Sequence, residues 1–157
     1  MRPDASSGQV GCHGVPFFDC LVRFLIAVPM SLEQAIHDRW ASDAALPLLV
    51  PPARFTTGPA WSRPELPYAQ LHRQGQRSRA GGSHYRLEEV ELGLVVQAET
   101  LTQLKTVLAA VVACFDNAAF DLAAGSVLRM RLIDQREERS SEGTWQGTLT
   151  WLAVVAT

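Results

Sequence analysis

Lysine is nearly missing from this chain: of 14 basic residues only Lys105 is lysine, and the rest are arginine. The bias fits genome base composition as readily as any function. Against 16 acidic residues it leaves a net charge of -2, so the chain lacks the strongly basic footprint of a domain dedicated to nucleic acid. No run reaches the ~18–20 apolar residues that a membrane-crossing helix requires. Cysteine is scarce, and Cys12, Cys20 and Cys114 form no C-x-x-C pair; neither a disulfide framework nor a zinc site is expected. The phosphate-cradling, dinucleotide-binding, nucleophile-elbow and zinc-protease motifs are all absent. What is present is 157 residues, 47% hydrophobic and 19% charged, the composition and length of one globular domain.

Residues 1–29 differ from the remainder. Met1 to Gly14 is polar and without periodicity, as disordered termini are. Phe17 to Val28 is apolar but short, interrupted by Asp19 and Arg23. A secretory signal would need a basic start and a small-residue cleavage site; only Arg2 precedes the segment, and no such site follows Ala27. We therefore expect residues 1–29 to be disordered or a non-native extension, with Met30 as the true start and a single domain over 30–157. Cys12, Cys20 and His13 then carry no function.

From Met30 the pattern reads helix, strand, strand, helix, strand, strand. Ser31-Leu-Glu-Gln34 is a capping box, in which the serine hydroxyl and the glutamine side chain satisfy backbone N–H groups reciprocally. Leu32, Ile36 and Trp40 follow as one apolar stripe, and Pro47 should end the helix near Ala45. A proline-rich connection leads to a short strand over Tyr68–Arg73, then a polar loop over Gln74–Gly82. Tyr85 to Ala98 alternates, with Val90, Leu92, Leu94, Val96 and Ala98 on one face and Glu89, Glu91, Gly93, Val95 and Gln97 on the other. So long a strand beside a short one suggests a hairpin tip projecting beyond the sheet. Thr100-Leu-Thr-Gln103 is a second capping box before Leu101, Leu104, Leu108, Val111 and Phe115 at helical spacing. Val127–Asp134 and Thr144–Val155 are strands joined by a loop over Gln135–Gly143. The expected fold is α+β: a mainly antiparallel four-stranded sheet with two helices packed on one face, in the order α-β-β-α-β-β.

Candidate chemistry is sparse. His37 is expected on a solvated helix face, and its neighbour Asp38 points about 100° away. His72 and His84 flank the polar loop, too few for a metal without carboxylate help. Glu88, Glu89 and Glu91 fall on two faces of their strand, so no metal, cofactor or catalytic residue is assigned. Cys114 reads as a small buried hydrophobe. Arg73, Arg77 and Arg79 cluster around the loop. They read either as a solvated hairpin tip or as an electrostatic contact, with the acidic residues Glu89 and Glu91 as its complement in a head-to-tail ring.

The order of features resembles the tail-completion, or tail-terminator, proteins of long-tailed phages, prophages and gene transfer agents. The resemblance spans about Met30 to Val155. It is carried by the helix M-S-L-E-Q-A-I-H-D-R-W-A-S-D-A-A-L, the strand L-P-Y-A-Q-L, the Gly/Arg loop and the strand V-E-L-G-L-V-V-Q. The helix L-T-Q-L-K-T-V-L-A-A-V-V-A-C-F-D and the hairpin V-L-R-M-R-L-I-D-Q with W-Q-G-T-L-T-W-L-A-V complete it. The resemblance implies a non-enzymatic assembly protein that caps the tail tube as a ring, typically sixfold, and joins it to the head. Implied partners are itself, the tail tube protein and a head-completion or connector protein, with neither membrane nor sequence-specific nucleic acid among them. Implied locations are the host cytoplasm during assembly and then the virion tail. Arg73, Arg77, Arg79, Glu89 and Glu91 are the candidate interface. The rival reading is a small ligand-binding or enzymatic α+β domain; the inward faces, almost wholly apolar, offer it no converging polar groups.

Overall fold

A computed structural model describes residues 31–59, 65–79 and 86–157. The expectations for residues 1–29 and for His84 lie outside the described residues.

Helix α1 (Leu32–Ser42) starts where Ser31 Oγ accepts the Gln34 N–H at 3.2 Å. The Gln34 side chain does not return the bond; it donates to Asp38 at 2.9 Å. The helix stops at Ser42, earlier than expected, because Asp43 caps a second turn, α2 (Leu46–Leu49). Its carboxylate accepts from the N–H groups of Ala45 and Leu46 at 2.8 and 2.9 Å, which holds its pKa below the ordinary carboxylate range. Pro47 therefore opens a helical turn, where its missing N–H costs nothing.

A 3-10 turn (Pro52–Arg54) leads to β1 (Phe55–Thr57), β2 (Tyr68–Arg79), β3 (Leu87–Ala98), α3 (Leu101–Phe115), β4 (Phe120–Leu122), β5 (Gly125–Arg139) and β6 (Trp145–Ala156). All six strands form one sheet in the order β1-β2-β3-β6-β5-β4. The β1–β2 pair is parallel and the others are antiparallel.

This corrects the expected fold. The sheet is six-stranded, mixed and curled, not a four-stranded antiparallel one in the order α-β-β-α-β-β. The two added edge strands are three residues long, too short to display period-two alternation. Two predicted loops are also strand. Gln74–Arg79 extends β2 and Gln135–Arg139 extends β5; both are polar because they are exposed on both sides. Within the described residues β3 does not outrun its neighbours, pairing with β6 from Leu87↔Ala156 to Ala98↔Trp145 and with β2 as far as Arg79↔Leu87; the hairpin tip itself lies outside the described residues.

The core lies between one face of the sheet and α1 and α3. Trp40 is fully buried, stacks on Phe55 at 4.2 Å and donates its indole N–H to the Val50 carbonyl at 3.1 Å. Phe115 bridges it to Trp151, each pair 6.5 Å apart. Helix α3 opens with Thr100 Oγ1 accepting the Gln103 N–H at 3.1 Å. It then buries Leu104, Val107, Leu108, Val111, Cys114 and Phe115. Gly147 permits the closest approach: a Cβ there would lie 2.8 Å from Leu108 Cδ1. Among the described residues no polar or charged side chain is buried.

Candidate functional site

Strand alternation that buries one face of the sheet must display the other. On that open face β3 presents Glu89, Glu91, Val95 and Gln97, and β6 presents Gln146, Thr148, Thr150 and Leu152. Strand β2 joins them through a bulge. Its register runs Arg73↔Leu92 and then Gly75↔Glu91, leaving Gln74 as the extra residue. A bulge of this kind shifts the phase of every later side chain.

That one residue divides the predicted arginine cluster. Arg73 shares the helix-side face with Leu92, where it forms an ion pair with Glu33 of α1 at 2.7 Å and donates to Gln76 at 2.8 Å. Arg77 and Arg79 fall on the open face, opposite Glu89 and Leu87. Arg79 pairs with Glu89 at 2.6 Å. Arg77, Glu89, Glu91, Gly75 and Leu152 share the lining of a groove of about 380 Å³. Four of the five predicted interface residues thus meet on the open face, and Arg73 does not.

A neighbouring groove of about 480 Å³ is lined by Gln74, Glu91, Ile133, Asp134, Arg136, Glu138, Thr148 and Thr150. These residues come from β2, β3, β6 and β5, so the sheet curls towards its open face. Arg136 and Glu138 were missed from sequence because they fell in the predicted loop; Asp134 closed the predicted strand Val127–Asp134 but was not singled out. Charge runs unbroken from Arg136 to Arg139, so no alternation marked the open-face residues in the sequence. Asp134 and Arg136 pair at 2.7 Å, and Glu138 accepts from Gln146 at 3.1 Å.

The histidines and the cysteine lie apart from this surface chemistry or at its margin. His37 is half-buried where full exposure was expected: it stacks on Phe55 at 4.1 Å, and Nε2 lies 2.8 Å from Thr57 Oγ1. Burial pushes its pKa down, opposed in part by Asp38. His72 lies over Gly93, with Nε2 3.3 Å from the Gln74 amide. Cys114 is buried, and burial pushes its thiol pKa up, away from reactivity. Arg39 donates to the Cys114 carbonyl at 2.9 Å. Among the described residues no group of three His, Cys, Asp or Glu side chains converges as a metal site. Interspersed charges of both signs on an open groove can favour one alignment over others when two proteins meet.

Comparison with known proteins bears on what such a surface meets. The family model described as "Tail completion protein gp17" matches residues 34–156. Among solved structures, the chain is similar to one from the "Virion of native gene transfer agent (GTA) particle", with a TM-score of 0.67 and 16% identity. The alignment covers 85% of this chain and 99% of that one, and at this identity the likeness is one of fold. No curated protein matches the chain.

Proposed function

Because the chain belongs to the tail completion protein gp17 family, we propose that it closes the end of a phage-type tail tube as a ring of identical copies and joins that tube to the head. Membership makes it a structural protein of a virion tail. The finer reading is ours: a sixfold ring, contact with the tail tube protein on one side and with a head-completion protein on the other, assembled in the host cytoplasm without catalysis. The single observation that carries it is the family match over nearly the whole described domain. The open face supports it, because a curled, mixed-charge surface without a buried polar group suits docking between subunits better than turnover of a substrate. On this reading Arg77, Arg79, Glu89 and Glu91 serve at a subunit contact or in the ring lumen.

The test adds the full chain to tail tubes assembled without it and images them by electron microscopy. Rings on tube ends, a narrowed distribution of tube length and restored joining to heads are the expected result. Tubes that keep growing and carry no added density at their ends would overturn the reading.

A further inference from the structure

The proposed ring needs a contact between copies, and the sheet carries two free edges that match each other. Strand β1 flanks β2 only over Ala69–Leu71, and Gly58 N–H donates to the Leu71 carbonyl at 2.8 Å. Beyond it, among the described residues, no strand flanks β2 from His72 to Arg79. At the far side, β4 flanks β5 over Gly125–Val127. Asn117 and Ala118 bond the Met130 backbone at 2.7 and 2.9 Å, and Asp116 Oδ1 accepts the Leu132 N–H at 3.2 Å. From Ile133 to Arg139 no described strand flanks β5. Exposed strand edges of this length are templates for pairing with another chain.

Resting on the ring reading, we propose that successive copies join edge to edge, the free part of β2 in one copy pairing antiparallel with the free part of β5 in the next. Four observations carry this. First, direction: three successive antiparallel pairings separate β2 from β5, so the two strands run oppositely. Continuing the sheet into an identical neighbour then gives an antiparallel junction. Second, shape: each free stretch begins where its own covering strand ends, so the two stepped edges fit together.

Third, charge and phase agree. With Arg77 opposite Asp134, Gln76 meets Gln135 and Gly75 meets Arg136. The bulged Gln74 is skipped, Arg73 meets Glu137 and His72 meets Glu138. Every pair in this register joins residues of the same face, as the pairings of β2 with β3 and of β5 with β6 define the faces. The three carboxylates each meet a basic or titratable partner, and Arg136 meets a glycine instead of another arginine. Skipping Gln74 keeps the two strands in phase on both sides of the bulge.

Fourth, geometry allows closure. Register places Asp134 level with His72 of its own copy. Pairing it with Arg77 shifts each copy along the strands by about four rungs, ~13 Å, while four strands widen it by ~19 Å. The strands then incline by about 35°, within the tilt that closed barrels adopt. Within one copy Arg79 pairs with Glu89, Arg73 with Glu33 and Asp134 with Arg136; the junction sets Arg77 beside Asp134 and Arg73 beside Glu137, extending these exposed pairs across the two edges.

The test uses the full chain with Cys12→Ser, Cys20→Ser and Cys114→Ala, mixed with the same tail tubes. Arg77→Cys and Asp134→Cys are added, singly and together, and joined by a short bis-maleimide. Each single variant alone should give no covalent dimer, an equimolar mixture should give dimers only, and the double variant should give a ladder. Arg77→Asp and Asp134→Arg should each lower ring yield about tenfold, and the pair combined should restore it. Rings seen by microscopy without these cross-links would overturn edge pairing while leaving the ring intact, as would cross-linking of the Asp134→Cys variant to itself. Absence of both rings and cross-links would overturn the ring and the junction together.

Discussion

The two faces of the sheet are made by the same strands and obey opposite rules. On the helix side, β3 and β6 bury Val90, Leu92, Val96, Leu149, Trp151 and Ala153 against α1 and α3. On the open side the same strands carry Glu89, Glu91, Thr148 and Thr150 beside grooves of about 380 and 480 Å³. Residues one position apart therefore answer to different demands. Burial of apolar area stabilises the fold on one face, whereas exposed ion pairs on the other add little to stability. The open face is thus under little demand from folding.

The strongest challenge to this contrast is made at Trp40. It is fully buried, stacked on Phe55 and bonded to the Val50 carbonyl. Trp40→Ala should lower unfolding free energy by about 3–5 kcal/mol, measured by urea titration of the full chain. A loss below ~1 kcal/mol would mean that the aromatic stack does not anchor α1.

A sharper version places one substitution on both faces. At Gly147 a new Cβ meets Leu108 Cδ1 at 2.8 Å and Leu108 Cδ2 at 2.9 Å, in packed core. At Gly93 it meets only the far ends of the His72 and Gln74 side chains, and both can swing away over the open face. Gly147→Ala should cost about 1–3 kcal/mol, and Gly93→Ala less than ~1 kcal/mol. Equal costs in urea titrations would show that the open face is packed as rigidly as the core.

How much of this could be read beforehand depended on where apolar residues mark a period. Strands β3 and β6 alternate hydrophobic and polar residues, and both capping boxes sit at helix starts, so these elements and their faces were legible. Strands β1 and β4 are too brief to show a period. The outer halves of β2 and β5 were invisible for another reason: exposed on both sides, they carry no apolar alternation and read as loops. The bulge at Gln74 had no signature either. For that reason Arg73, Arg77 and Arg79 looked like one cluster, although the fold sends Arg73 to Glu33 and the other two to the opposite face. The family resemblance survived these errors because it rests on the order and length of the long elements.

His37 tests the rim of the covered face through pH. Burial lowers its pKa in the folded state below the ordinary 6.5, so the unfolded chain binds more protons just below that value. Stability is then complete above about pH 6.5 and falls as pH drops towards the lowered folded value. His37→Gln should flatten that part of the profile, read as the difference in urea midpoint between about pH 7.5 and about pH 5.5. A slope unchanged by the substitution would assign the acid sensitivity to other groups.

The smallest expected effect on stability is the one most informative about the open face. Arg79 and Glu89 pair at 2.6 Å, but the arginine side chain is 65% exposed, and an ion pair so open to solvent contributes about 0–1 kcal/mol. Arg79→Ala, and Arg77→Glu with Arg79→Glu together, should leave the urea midpoint nearly unchanged. The double reversal should nevertheless alter ring formation on tail tubes, because complementary charge across an interface governs encounter and register more than the stability of either partner. A drop in stability of ~2 kcal/mol or more would erase the contrast between the faces, making the arginine strand part of the folding core. Unchanged stability with unchanged assembly would instead keep the contrast and remove Arg77 and Arg79 from the docking surface.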